Sequence, residues 1–306
     1  MPKILFTLLV IVVCCLGCSS LKDKRDGYAS DHGREKFSKK NQAAVRERMK
    51  LVKEELKKLK DHPWADSYVR GMPPFGSHAE LVIAPKSGYA YTRHSCDCGD
   101  GNGPLLYDQN YGEVTWENGR LKLSPALGKD EYFCDSFSVA TELIPISWGD
   151  YLYLVPADEI IDFCNIVNAG DAIFGTFFIR GTYPWKSPPP SGKPDVPEEY
   201  KPYLLEKPIE GEIITVGETK ELRKRSSIEN ETVVTINKGR QDGVLPGMQF
   251  LVTNPEKIFA PIKLTKITNT ESEGIIEQGF YKSMETGEQG IIGGKPQIGW
   301  SVSTRR

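Results

Sequence analysis

Val114-Thr115-Trp116-Glu117-Asn118-Gly119-Arg120-Leu121-Lys122-Leu123 is the stretch that decides the fold class of this chain. Val114 and Trp116 alternate on one side of Glu117-Asn118-Gly119-Arg120, and Leu121 and Leu123 alternate on the other. Alternation with period two is the pattern of a half-buried strand, and Asn-Gly tolerates the positive φ angles that a two-residue hairpin turn demands. The segment predicts an antiparallel hairpin. Upstream, Leu81-Val82-Ile83-Ala84 and Tyr89-Ala90-Tyr91 flank a Lys86-Ser87-Gly88 turn, and downstream Leu152, Leu154, Ile173, Phe177 and Ile179 add strand material. One short helix is expected at 158–168, with Ile160, Phe163, Cys164 and Val167 on one face and Gly170 beyond its end. Residues 63–183 therefore read as a β-rich meander or open barrel carrying one short helix.

The flanks carry different patterns. Residues 184–208 hold 8 of the 21 prolines, including Pro188-Pro189-Pro190, and read as a semi-rigid Pro-rich linker with a helical turn near Tyr200 to Glu206. Residues 209–306 read as a second small β-barrel domain, with strands at Ile213-Ile214, Val233 to Ile236, Phe250 to Val252 and Gly274 to Ile276, and Trp300-Ser301-Val302 closing the sheet. On the N-terminal side, Val45, Met49, Val52, Leu56 and Leu59 recur at steps of four and three, which predicts a basic amphipathic helix over 43–60. His62-Pro63 stops it. Packing of its narrow apolar stripe on the β body competes with self-association, because two heptads dimerise weakly.

Composition narrows the class. In 306 residues, 39% are apolar and 26% charged, and 39 Lys/Arg against 41 Asp/Glu give a net charge of −2. That excludes a multi-span membrane protein, a collagen-like repeat and a wholly disordered chain, and it argues against a nucleic-acid coat. The near-neutral total hides an asymmetry: residues 19–60 hold 14 Lys/Arg against 7 Asp/Glu, so 61–306 carry −10.

The N-terminus accounts for the asymmetry. Lys3 precedes an apolar or small run from Ile4 to Gly17, too short to span a bilayer comfortably but suited to a signal peptide over 1–17. The run ends Cys15-Leu16-Gly17-Cys18-Ser19-Ser20, which resembles a bacterial lipobox, with Cys15 where that pattern usually has Leu. The resemblance implies lipidation at Cys18, a lipid-anchored linker and helix over 18–62, and, from Ser19, an outer-membrane address facing the periplasm or the cell surface. In that oxidising setting Cys96, Cys98, Cys134 and Cys164 are candidates for up to two disulfides, with no pairing chosen by the sequence.

Candidate chemistry is sparse. His94-Ser95-Cys96-Asp97-Cys98 offers the start of a zinc site, but no second Cys-x-x-Cys completes it, and the disulfide reading is preferred. A calcium loop from Asp97 fails because Gly99, Gly101 and Asn102 fall where ligands and the turn glycine belong. There is no G-x-S-x-G elbow and no recognisable triad, so no catalytic residue, metal or cofactor is assigned. Tyr107-Asp108-Gln109-Asn110-Tyr111-Gly112 reads as a turn, either covering the sheet edge or presenting Tyr107, Asn110 and Tyr111 for recognition. With Ala84-Pro85, Gly88-Tyr89 and Glu113-Val114, it resembles a run in exported bacterial proteins of unassigned function.

The densest turn signal is Asn237-Lys238-Gly239-Arg240-Gln241-Asp242-Gly243-Val244-Leu245-Pro246-Gly247-Met248. It resembles the tight corner of small β-barrels in envelope assembly proteins, among them the rod-shape-determining protein C and the flagellar assembly protein T. That resemblance implies protein–protein assembly, with Lys238 and Arg240 as candidate contacts. The combined expectation is an exported, lipid-anchored envelope binding or scaffold protein without catalytic activity. Its partners would be the membrane, through the lipid, and an envelope protein or cell-wall component, with no nucleic acid. The alternatives are an envelope hydrolase using Asp/Glu residues of the middle domain, or a small-ligand-binding β-barrel.

Overall fold

The computed structural model describes residues 39–71, 78–94, 106–127, 140–170, 176–181, 190–223, 228–253, 259–282, 289–291 and 295–305. The chain is mainly β and forms two closed barrels, so the middle region is a closed barrel rather than an open one. It divides into two compact units that interleave in sequence. The first holds 1–145, 150–156 and 174–187; the second holds 146–149, 157–173 and 188–306. The expected succession of 63–183, a linker at 184–208 and 209–306 thus differs from this interleaved division, in which the described part of the linker, 190–208, belongs to the second unit.

The first barrel runs β1 (Asp66–Gly71), β2 (His78–Ala84), β3 (Gly88–His94), β4 (Leu106–Glu117), β5 (Arg120–Pro125), β6 (Glu142–Trp148), β7 (Tyr151–Pro156) and β8 (Phe178–Arg180). Strands pair in sequence order, and β8 returns to β1 through Tyr68↔Arg180 and Val69↔Ile179. The Asn-Gly hairpin forms as expected: Asn118 and Gly119 take φ of 51° and 78°, with Trp116 opposite Leu121 and Val114 opposite Leu123. Tyr68, Leu81, Ile83, Tyr89, Tyr91, Leu121, Leu123, Leu143, Leu154 and Phe178 fill the interior.

Helix α1 (Lys39–Leu56) explains why Leu81-Val82-Ile83-Ala84 is apolar without interruption. Leu81 and Ile83 face the barrel interior, while Val82, Ala84 and Ala90 are covered by Val45 and Val52 of α1 together with Leu127. Each covered valine stabilises the contact by about 1.5–2 kcal/mol. Polar clasps fix the helix azimuth. Glu55 accepts the backbone N–H groups of Lys86 (3.1 Å) and Ser87 (2.6 Å) in the β2–β3 turn. Arg48 donates to Ser87 O (2.8 Å) and pairs with Glu113 (3.1 Å), its guanidinium 5.7 Å from the Tyr111 ring centroid. The helix ends at Leu56 rather than Lys60, in a turn where Leu59 N–H reaches both Glu55 O and Leu56 O. Beyond it, His62 Nδ1 accepts the Ala65 N–H at 3.1 Å.

In the second unit, β9 (Glu210–Arg223), β10 (Ile228–Ile236), β11 (Gln249–Thr253), β12 (Phe259–Ile267), β13 (Ser272–Lys282) and β15 (Ser301–Ser303) close a six-stranded ring, because β10 pairs with both β9 and β13. β14 (Gln289–Ile291) adds to β13. The short β15 closes the sheet by bridging β9 and β11. Ile213, Val234, Ile236, Val244, Phe250, Val252, Ile262, Ile276 and Val302 form the core. The expected short helix is α2 (Ile160–Ala169), ended by Gly170 at φ 75°. It belongs to this unit and grips two of its loops. Asn165 donates to Gly247 O (2.9 Å) and accepts from Gln249 N–H (3.2 Å), while Asn168 donates to Tyr203 O (2.7 Å) and accepts from Leu205 N–H (3.0 Å). The helical turn expected near Tyr200 is a 3-10 turn at Glu198–Tyr203.

Candidate functional site

Strand register sorts the first barrel's interior into rows of side chains that share one face. One row reads Tyr68, Leu81, Tyr91 and Asn110; the next, toward the ends of β1 and β3, reads Arg70, Ala79, Arg93 and Asp108. Apolar packing thus changes into a charged row within one step of the strand. β4 is bulged at this level, since Arg93 faces Asp108 while His94 faces Leu106, leaving Tyr107 as the extra residue.

Asp108 is the unusual member. Its residue is only 1% exposed, and neither carboxylate oxygen has a hydrogen-bond partner among the described residues. Burial pushes its acid up to about 7 from 3.8; the nearby Gln109 backbone N–H, which does not reach hydrogen-bond geometry, and the Arg93 charge offset this only in part. A buried carboxyl of this kind is neutral over much of the acid range and holds a proton that an exposed Asp would have lost. In the sequence Asp108 stood out only as a polar member of the Tyr107–Gly112 run, with no chemistry assigned to it. Its available signal was the strand alternation that puts it on the face of Asn110, which is legible once the β3–β4 register is known.

On the opposite face of the same hairpin, His78 and His94 stack across the strands with ring centroids 5.3 Å apart. Burial holds His94 below the usual imidazole range, and the neighbouring His78 adds to that, while Glu80 opposes it. Glu80 itself pairs with Lys53 of α1 at 2.7 Å. Among the described residues no three His, Cys, Asp or Glu side chains gather as a metal set. Cys96, Cys98 and Cys134 lie outside the described residues.

Cys164 is corrected by the structure: it is a free, fully buried thiol on α2, pushed up to about 12 by burial, and does not contribute to a disulfide. Its place on the apolar face of α2, beside buried Phe163, makes it a small core residue.

The Tyr107–Gly112 run is a second correction, because it forms the body of strand β4 rather than a turn or an exposed loop. Asn110 is buried and brackets Leu127, accepting its N–H at 3.3 Å and donating to its carbonyl at 3.4 Å. Tyr111 is covered by α1 and Arg48. Neither presents a recognition surface, since both are used in mounting the helix and the chain after β5.

The corner motif of the second unit behaves as its glycines suggest. Residues Arg240–Asp242 form a 3-10 turn, and Gly243 and Gly247 take φ of 88° and 85°. Gly239 is required for a different reason: a Cβ there would lie 2.6 Å from backbone atoms of Asn269 and Glu271. Asp242 accepts the Gly239 N–H at 3.0 Å, and that bond, helped by Lys238, holds its carboxyl below the usual carboxylate range. Lys238 faces Asp242 at 3.5 Å, whereas Arg240 is exposed. Beside the corner lies an open groove of about 680 Å³ lined by Glu210, Asn237, Lys238, Ser301, Ser303 and Arg305. The structure therefore brings Lys238 to a groove and leaves Arg240 outside it.

With this geometry established, comparison of the chain with protein-family models, curated proteins and solved structures finds no match.

Proposed function

We propose that the protein is an exported envelope lipoprotein, anchored through Cys18, whose two barrels serve as binding or scaffold modules without catalytic activity. The observation that carries this reading is the filled first barrel, with ten large apolar or aromatic side chains packed inside it and α1 bolted to its outer face. A filled interior weighs against a lipocalin-like ligand cavity. The hydrolase reading needs two carboxylates about 5–10 Å apart across a cleft. Asp108 instead shares its face with Arg70, Ala79, Arg93 and Asn110. The exposed polar corner and groove of the second barrel supply surface for a partner, in keeping with the assembly domains that the corner motif resembles.

Metabolic labelling with a clickable fatty acid tests the anchor. Label on the wild type that is lost in Cys18→Ala is expected, and an unlabelled wild type would overturn the anchored reading. Native mass spectrometry of the purified protein tests the binding mode: a tightly held small molecule inside the first barrel would favour the ligand-carrier alternative.

A further inference from the structure

We propose that the outward face of α1 is a docking surface for the anionic headgroups of a phospholipid membrane. The proposal rests on the anchored reading only for the nearness of a membrane; the surface itself follows from how α1 is mounted. Val45 and Val52 are buried against the barrel, and Met49 and Leu56 pack beside them, so the opposite face is committed to the outside. That face carries exposed Arg46, Lys50, Lys53, Lys57 and Lys58 together with exposed Glu47 and Glu54, a basic excess. Lys53 is paired with Glu80 and Lys57 with Glu54, each at 2.7 Å, while Arg46, Lys50, Lys58 and Lys60 make no ion pair among the described residues.

Leu51, with Lys50 beside it in the chain and Glu47 and Glu54 one turn away, is 50% exposed on this face. An exposed apolar side chain on a face with a basic excess suits a headgroup layer, where the ammonium groups meet phosphates and the leucine enters the acyl boundary. Residues 39–60 hold nine Lys/Arg against three Glu, and one of the three, Glu55, is turned to the barrel. The chain from 61 onward carries −10, so an anionic surface attracts α1 and repels the rest. The 20 residues between Cys18 and Lys39 reach at most about 70 Å, which limits distance but leaves orientation open. The helix supplies the orientation.

Each basic residue near such a surface changes partition about fivefold. The test uses the chain from residue 18 onward with Cys18→Ser, which contains every described element and no acyl chain. It is co-sedimented at low salt with vesicles of equal parts phosphatidylethanolamine and phosphatidylglycerol, and separately with phosphatidylcholine vesicles. Preferential binding to the anionic vesicles is expected, reduced at least about 25-fold by Lys50→Glu with Lys58→Glu. Leu51→Ala should weaken it several-fold, and the paired reversal Lys193→Glu with Glu206→Lys, in the second unit, should not change it. Circular dichroism confirms that the variants fold. Equal binding to both vesicle types, or full binding by the double reversal, overturns the proposal, as does capture of an anionic cell-wall polymer by α1 with no vesicle binding. A labelled Cys18 together with absent vesicle binding defeats this inference and leaves the anchored reading intact; the converse result does the reverse.

Discussion

Replacing Asp108 by Asn exchanges a buried acid for a neutral group of nearly the same shape, and its effect depends on pH in a defined direction. The folded protein holds this proton up to about pH 7, whereas the unfolded chain loses it near the ordinary value of 3.8. Below 3.8 both states are protonated and the acid costs nothing in charge. Between 3.8 and about 7 only the unfolded state has released the proton, so stability falls steadily as pH rises, and above about 7 the loss levels off. A gap from 3.8 to about 7, at about 1.4 kcal/mol for each tenfold difference in proton affinity, sets a ceiling of about 4 kcal/mol. Asp108→Asn should therefore leave stability near wild type at pH 4 and raise it by up to about 4 kcal/mol at pH 8. Urea denaturation at a series of pH values reads this as a growing separation of midpoints, with an unchanged slope marking an intact denatured state. Wild-type and Asn curves that stay parallel from pH 4 to 8, or an Asn variant that loses stability at pH 8, would refute the reasoning. The second outcome would mean that the ionised carboxylate is satisfied in the native state.

Other perturbations test other parts of the argument. Val52→Ala on α1 should cost about 2 kcal/mol in denaturant unfolding, because two buried methyl groups leave the contact with β2 and β3. Gly239→Ala should cost about 1–3 kcal/mol by thermal or urea unfolding, since its methyl meets backbone rather than a movable side chain. Gly119→Ala has open space around it and should lose only the left-handed backbone preference, about 1–2 kcal/mol, which separates crowding from φ strain. Cys164 should resist iodoacetamide at pH 8 in the native protein and react in urea, as read by peptide mass spectrometry; rapid native labelling would show that α2 opens.

The helix and the corner motif show what kinds of information a linear pattern holds. Val45, Met49, Val52 and Leu56 announce both the existence of α1 and the face it buries, because helical period alone selects them. The pattern offered the β body as one target of that face but not which residues it covers, since Val82, Ala84 and Ala90 belong to strands that also pack inward, and their double burial looks like a simple apolar run. Asn118-Gly119 specified its turn by itself, because positive φ at two successive residues is a local requirement. Gly239 looked like another such turn glycine, yet it serves a close approach by Asn269 and Glu271 that no local reading contains. Tyr107 to Gly112 went wrong as a loop for the same reason. Polar residues in a strand look like a turn until a bulge and a covering helix give them buried partners.

The sequence by itself determined the period-two strands, the helical stripe, the hairpin turn and the separation of a basic front from an acidic body, because each depends on neighbours within a few residues. Tertiary structure alone decided that the first sheet closes, that α2 serves the second barrel, that Cys164 stays a free core thiol, and that Asp108 faces inward. Those outcomes depend on register and on long-range burial, which shift an acid's proton affinity or hide a thiol without leaving any mark on adjacent residues. The same cause governs α1: its charges were visible in sequence, but only packing on the barrel decided which of them face the solvent.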